Sequence, residues 1–271
     1  MARAPRASDQ FDRSILAQVA HRPWPMPRRP WLMTQTWHDL LFAHWPIETA
    51  LLRSAVPSAL TLDRHDGQAW LGIVAFRMTN VAPRLVPAVP GISAFAELNV
   101  RTYVRVGNTP GVYFLSLDAA SRVAVRAARL LFNLPYFAAD MHVDRPTAVG
   151  AERREAAEAT SPAVSYESRR RGRTSTAAFT AIYGPTGPAF DPRPGSLESF
   201  LTARYCLYAL RRSGAPYRLD IHHAPWALQP AAATIARNTM AEASGIPLPA
   251  APPLLHFARR QDMVAWAPER T

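Results

Sequence analysis

The chain has 271 residues, 48% hydrophobic and 19% charged, a composition that excludes disorder and suffices to bury a sizeable core. All 31 basic residues are arginine against 20 acidic ones, for a net charge of +11, and the absence of lysine excludes imine chemistry on a lysine side chain. A single cysteine, Cys206, excludes an intrachain disulfide and a multi-thiolate zinc site.

Residues 1–29 carry Arg3, Arg6 and Arg13 and a run of spaced prolines, and read as a partly ordered arm. They lack the apolar core of about 7–15 residues that a secretory signal needs. No stretch approaches the ~20 apolar residues of a membrane span. A soluble cytoplasmic protein with no membrane association is expected. Residues 30–271 contain no obvious linker or repeat and are expected to form a single domain.

Residues 47–56 read as a short helix ended by Pro57. Asp66-Gly67 is a hairpin signal before the strand-like stretch 68–79. Residues 97–106 alternate, with Leu98, Val100, Thr102, Val104 and Val106 on one face and Glu97, Asn99, Arg101, Tyr103 and Arg105 on the other. A turn at 107–111 and a strand at 112–117 complete a hairpin. Asp118 is expected to cap a helix running to about Asn133. Its apolar stripe of Val123, Ala127, Leu130, Leu131 and Leu134 should face the core, with Arg122, Arg126 and Arg129 on another face. Strands follow at 138–144, 163–171, 175–183, 204–210, 217–223 and 254–266. A second helix is expected over 230–243, closed by Gly245. The class is α+β: a large, mainly antiparallel sheet or barrel with helices packed on it.

The strongest polar constellation is Glu97, Asn99, Arg101 and Tyr103, at positions that share one strand face about 6.6 Å apart. Facing a cavity, it would supply a carboxylate acid/base, an amide, a guanidinium fork for an anion and a phenol. Facing solvent, it is the polar side of an amphipathic strand. Tyr136, after Leu134-Pro135, is either a general acid or a core residue with a satisfied hydroxyl.

The eight histidines form no metal signature, because His222-His223 point to opposite faces of a strand, and no metal or cofactor is expected. Phosphate-loop and nucleophile-elbow motifs are absent. Cys206, in an alternating apolar strand, reads as inert core. The arginines are spread along the chain, so nucleic acid is not expected as a partner.

Several longer motifs carry a resemblance. Trp37-His38-Asp39-Leu40-Leu41-Phe42-Ala43-His44-Trp45-Pro46, Phe95-Ala96-Glu97-Leu98-Asn99-Val100-Arg101-Thr102-Tyr103-Val104 and Ile221-His222-His223-Ala224-Pro225-Trp226 resemble the YqjF-like proteins, an uncharacterised bacterial family. Gly111 to Asp118 and Leu254 to Arg260 fit the same pattern, which covers roughly residues 30–267. That family is similar to the acetoacetate decarboxylase-like superfamily. The resemblance implies a cone-shaped, mainly antiparallel β-barrel with flanking helices and a closed apolar cavity. It also implies that Leu134-Pro135-Tyr136-Phe137 matches the turn in which the decarboxylases carry their Schiff-base lysine, with Tyr136 in that lysine's place. Glu97 falls where those enzymes keep a cavity glutamate. Arginine and glutamate in such a cavity should be paired with each other, leaving guanidinium donors for an anionic ligand.

Two functions follow. The first is a lyase or isomerase acting on a small oxo- or enol-acid by non-covalent acid/base chemistry, with Glu97 and Tyr136 catalytic and Arg101 and Asn99 binding substrate. The second is a non-catalytic protein that binds a small organic, anionic molecule on the same scaffold. Self-association into a homo-oligomer fits either.

Overall fold

The computed structural model describes residues 10–89, 93–145 and 163–271; the first nine residues of the expected arm lie outside that range. In chain order the elements are β1 (Met33–Ile47), α1 (Thr49–Ala55), β2 (Thr61–Leu62), β3 (Ala69–Pro83), β4 (Phe95–Val106), β5 (Thr109–Ala119), α2 (Arg122–Phe132) and β6 (Tyr136–Asp144). Then come β7 (Val164–Arg170), β8 (Ala178–Pro185), α3 (Leu197–Thr202), β9 (Cys206–Leu210), β10 (Pro216–His223), β11 (Gln229–Asn238), β12 (Leu254–Ala265) and β13 (Glu269–Arg270).

Seven strands close a hydrogen-bonded ring in the order β1-β3-β4-β5-β9-β10-β12 and back to β1. A second arc, β6-β7-β8-β11, leaves β5 and returns to β12. Every pairing is antiparallel except β5 with β6 and β5 with β9. The expected mixed, mainly antiparallel architecture is therefore present as a closed ring of strands. Strands β1, β3 and β4 stand between two interiors. One is a packed core under the second arc, with Leu41, Ile73, Leu98, Val100, Tyr166 and Phe179. The other is the inside of the ring.

Two bulges set which side chains enter the ring. At Asp39, whose φ is +57°, the β1–β3 register shifts. The inward residues change from Gln35 and Trp37 to Leu40 and Phe42, the parity switch that one extra residue produces. In β5, opposite Val100 and Arg101, a second shift changes them from Val112 and Phe114 to Leu117.

The local turns follow the sequence. Asp66 and Gly67 adopt φ of +48° and +80°, between the bridged His65 and Gln68. Gly107, at φ +56°, takes the first corner of the two-residue β4–β5 loop. In the arm, a 3₁₀ turn at Arg13–Ala17 buries Ile15, whose carbonyl meets His222 Nε2 at 2.8 Å.

Three expectations are corrected. Residues 230–243 are not one helix: β11 occupies them as far as Asn238, its alternating half-buried and exposed residues paired with β8, and Gly245 closes only a 3₁₀ turn at Glu242–Ser244. Sheet pairing here overrides the helical propensity of Ala231, Ala232 and Ala233. Asp118 does not cap a helix; it lies buried in β5 and Ser121 caps α2 by accepting from Ala124 N. Finally, Val123, Leu130 and Leu131 do not face the core, at 65%, 72% and 70% exposure. The helix instead turns Ala124, Ala128 and Phe132 towards the ring. Among the described residues no helix is long and apolar enough to cross a membrane.

Candidate functional site

All seven strands of the ring contribute walls to a cavity of about 250 Å³, and α2 covers one side. Most of the wall is apolar: Trp37, Leu40, Phe42, Val74, Phe76 and Trp226 lie on it. The polar residues concentrate on β4, where Glu97, Asn99 and Arg101 all face the cavity. The solvent-facing alternative for this strand is thus overturned, since Glu97 and Asn99 are each only 4% exposed. From Glu97 to Val104 both faces of β4 are inside the molecule, and Arg105 near its end is exposed.

Tyr136, the first residue of β6, sits beside Leu117 in the parallel β5–β6 pairing, and Leu117 sits opposite Asn99. From there its hydroxyl donates to Glu97 Oε2 at 2.8 Å. Asn99 lies two residues along the same strand face and favours the ionised form of the Glu97 carboxyl, while its own Oδ1 is buried without a partner. Burial pushes the Glu97 carboxyl up to about 7, against the lowering effect of the Tyr136 and Asn99 hydrogen bonds. Burial, and then the neighbouring carboxylate, hold the Tyr136 phenol well above its usual range. Near neutral pH the pair is a phenol donating to a carboxyl group that is half protonated.

The mounting of this pair is a buried ion pair. Arg170 on β7 donates to both carboxylate oxygens of Asp118, with Nη2 to Oδ1 at 2.6 Å, and its guanidinium lies 3.9 Å above the Phe137 ring. Phe137 follows Tyr136 directly, so the clamp fixes the start of β6.

Arg101 behaves differently from expectation. It is not paired with Glu97, and among the described residues no carboxylate lies within 4 Å of it. Its Nη2 donates to Leu201 O at 3.1 Å, and its Nε is buried without a partner. The reason is geometric: four residues of strand separate the two Cα atoms by ~13 Å, and the Arg101 head lies 5.5 Å from the Phe42 ring and 5.8 Å from the Tyr103 ring. Tyr103 itself drops out of the constellation. Its hydroxyl donates to Leu201 O at 2.9 Å and meets His44 Nε2 at 2.7 Å, in a buried cluster beyond the cavity wall.

Other polar groups reach the cavity that strand alternation on β4 could not signal. Arg204 is held by Asp63 at 2.6 Å and lies over the Phe200 ring. His223, on β10, is kept neutral by burial, which pushes it down to about 3. The Ile221 to Trp226 motif was the one sequence signal for His223 and Trp226. Arg204 had none. Cys206 is buried, its thiol pushed up to about 12 by burial, which leaves it unreactive. Among the described residues no three His, Cys, Asp or Glu side chains gather as metal ligands.

Residues 34–262 match the family DUF2071, described as an uncharacterized conserved protein. The chain is similar to the uncharacterized protein YqjF of Bacillus subtilis (strain 168), with 46% identity over 241 residues that make up 89% of this chain and 93% of YqjF. It superposes on an acetoacetate decarboxylase-like enzyme from Sphingomonas wittichii RW1 with a TM-score of 0.59, 14% identity and coverage of 93% of this chain and 97% of that one. The enduracididine biosynthesis enzyme MppR, complexed with pyruvate, matches with a TM-score of 0.58, 9% identity and 93% coverage of both chains. At these identities the two structures establish the fold.

Proposed function

The chain belongs to the DUF2071 family of uncharacterized conserved proteins on an acetoacetate decarboxylase-like fold, and on that premise we propose that it moves a proton on a small oxo- or enol-acid without a Schiff base. The observation that carries this reading is the Tyr136–Glu97 hydrogen bond of 2.8 Å, buried in a mainly apolar cavity, with Glu97 raised to about 7.

The steps follow from donor and acceptor inventory. As a carboxylate, Glu97 can only accept, and it accepts from Tyr136. On taking a proton from carbon next to the substrate carbonyl, it becomes a carboxylic acid and gains one O–H donor. That O–H can point to the Tyr136 oxygen, which frees the phenol O–H for the developing enolate oxygen. The carbon–hydrogen bond breaks to Glu97, its electron pair moves towards the carbonyl oxygen, and Tyr136 stabilises the charge. Return of the proton at the same or a neighbouring carbon gives exchange or isomerisation. Arg101, whose Nε donor has no partner, is the group that receives the carboxylate, and Asn99 lines the wall between it and Glu97.

Deuterium incorporation into oxo-acids in heavy water, followed by NMR, tests this. Exchange should rise with pH with a midpoint near 7, because the base must be ionised. Glu97→Gln should lower it by roughly 10²–10⁴-fold and Tyr136→Phe by a similar or smaller factor. If both variants exchange a bound oxo-acid as fast as the parent protein, the assignment is wrong.

A second reading, a non-catalytic small-molecule-binding protein, is favoured by the apolar character of the walls around Trp37, Phe42, Phe76 and Trp226. It predicts saturable binding with no exchange and no product by mass spectrometry after prolonged incubation.

A further inference from the structure

The two ends of the polar wall are too far apart for one three-carbon acid to use both. Glu97 and Arg101 are separated by ~13 Å along β4. Their heads bond to different partners: Glu97 accepts from Tyr136, whereas Arg101 donates to the Leu201 carbonyl that Tyr103 also binds. Allowing ~3 Å for a hydrogen bond at each end leaves ~7 Å to be spanned. At ~1.2 Å of advance per bond in an extended chain, that is about six carbon–carbon bonds. The volume points the same way, since about 250 Å³ corresponds to about eight waters at their liquid volume. The wall between the two ends offers Phe42, Val74, Leu117 and Phe114, which suit methylenes and leave a polar linker unsatisfied.

We infer that the acid this cavity takes is an elongated amphiphile, with its carboxylate at Arg101, its reacting carbonyl at Glu97 and Tyr136, and an unbranched apolar spacer of about five carbons between them. This rests on the reading of Glu97 and Tyr136 as the reacting end, and it adds the substrate's length and the position of its two polar groups. Arg101 has the free Nε to receive a carboxylate; Arg204 is already satisfied by Asp63 and by Phe200 O at 2.6 Å.

The probes are pyruvate, 4-oxopentanoate, 7-oxooctanoate and 9-oxodecanoate, with 2-octanone as the chain without a carboxylate. Dissociation constants are measured by calorimetry and thermal shift on the full chain. Affinity should peak at 7-oxooctanoate and exceed that for pyruvate at least tenfold. Arg101→Met should weaken 7-oxooctanoate at least tenfold and leave 2-octanone unchanged, which also shows that the variant is folded. Pyruvate binding as tightly as 7-oxooctanoate overturns the inference, as does an Arg101→Met variant that keeps full affinity. Binding of this pattern without deuterium exchange at carbons 6 and 8 would refute proton transfer and uphold the ligand class, so the two failures are distinct.

Discussion

Glu97 owes its proton affinity to where its strand runs. A glutamate on an amphipathic strand ordinarily meets water, but here the opposite side of β4 is already filled by Leu98 and Val100 and its own side closes on the cavity. The unfolded chain carries an ordinary carboxyl near 4.5, and the folded one titrates at about 7, so the native state binds the extra proton between those values. Stability linked to the neutral form is complete below pH 4.5 and is lost as pH rises through 7. Glu97→Gln keeps a neutral side chain at every pH. It should therefore stabilise the protein by about 3 kcal/mol at pH 8 and change it little at pH 4. Denaturant melts at the two pH values check this, and equal differences at both would contradict it. The residue scale was partly legible in the sequence: spacing put Glu97, Asn99 and Arg101 on one face, and the position of Tyr136 after Leu134-Pro135 marked it while leaving open whether it was core. What lies across a strand is a tertiary fact, so spacing could neither exclude solvent nor separate Tyr103 from the cavity.

At the scale of elements, the sequence was most legible where alternation or turn chemistry was strict, as in β4, β10 and Asp66-Gly67. It misled where composition and pairing disagree. Residues 230–243 have an alanine-rich helical composition with no alternation of polarity, and pairing with β8 decides for strand as far as Asn238. In α2 the expected stripe straddles the edge of the face that covers the cavity: its Ala127 lies on the cavity wall and its Leu134 is buried, whereas Val123, Leu130 and Leu131 are exposed. Asp118 looked like a cap because it precedes a helix, yet β5 continues through it to meet Arg170. That pair binds β5 to β7 and stacks on Phe137, so it positions Tyr136, and the Asp118 charge adds a small upward push on the Glu97 carboxyl. Asp118→Asn leaves Arg170 buried beside a neutral amide and should cost about 3–5 kcal/mol, whereas replacing both by Leu and Met should recover much of it. Thermal or urea unfolding of the single and double variants reads the difference. A loss below about 1 kcal/mol in Asp118→Asn would show that the clamp is not needed.

At the scale of the whole molecule, closure of seven strands into a ring supplies what no single element has: an apolar interior that water enters poorly, with one polar wall. The two bulges, at Asp39 and opposite Arg101, make this closure possible by switching which residues point inward midway along β1 and β5. A bulge leaves almost no mark on hydrophobic alternation except a break in parity. Resemblance could therefore point to the ring, while the spacing of individual residues could not. The fold's neighbours include an acetoacetate decarboxylase-like enzyme, and this chain has no lysine with which to form an imine. On the proposed reading, proton transfer then rests with the Glu97–Tyr136 pair, which a 2.8 Å hydrogen bond joins. Its most direct test is the titration of Glu97 itself, followed by infrared difference spectroscopy of the carboxyl stretch between about pH 4 and 9, a range that brackets the shift argued from burial, with Glu97→Gln as the subtraction control. The expected midpoint lies near 7 and moves upward in Tyr136→Phe, because the phenol's hydrogen bond favours the ionised form. A midpoint near 4.5, or one that Tyr136→Phe leaves in place, would contradict the assignment of this pair.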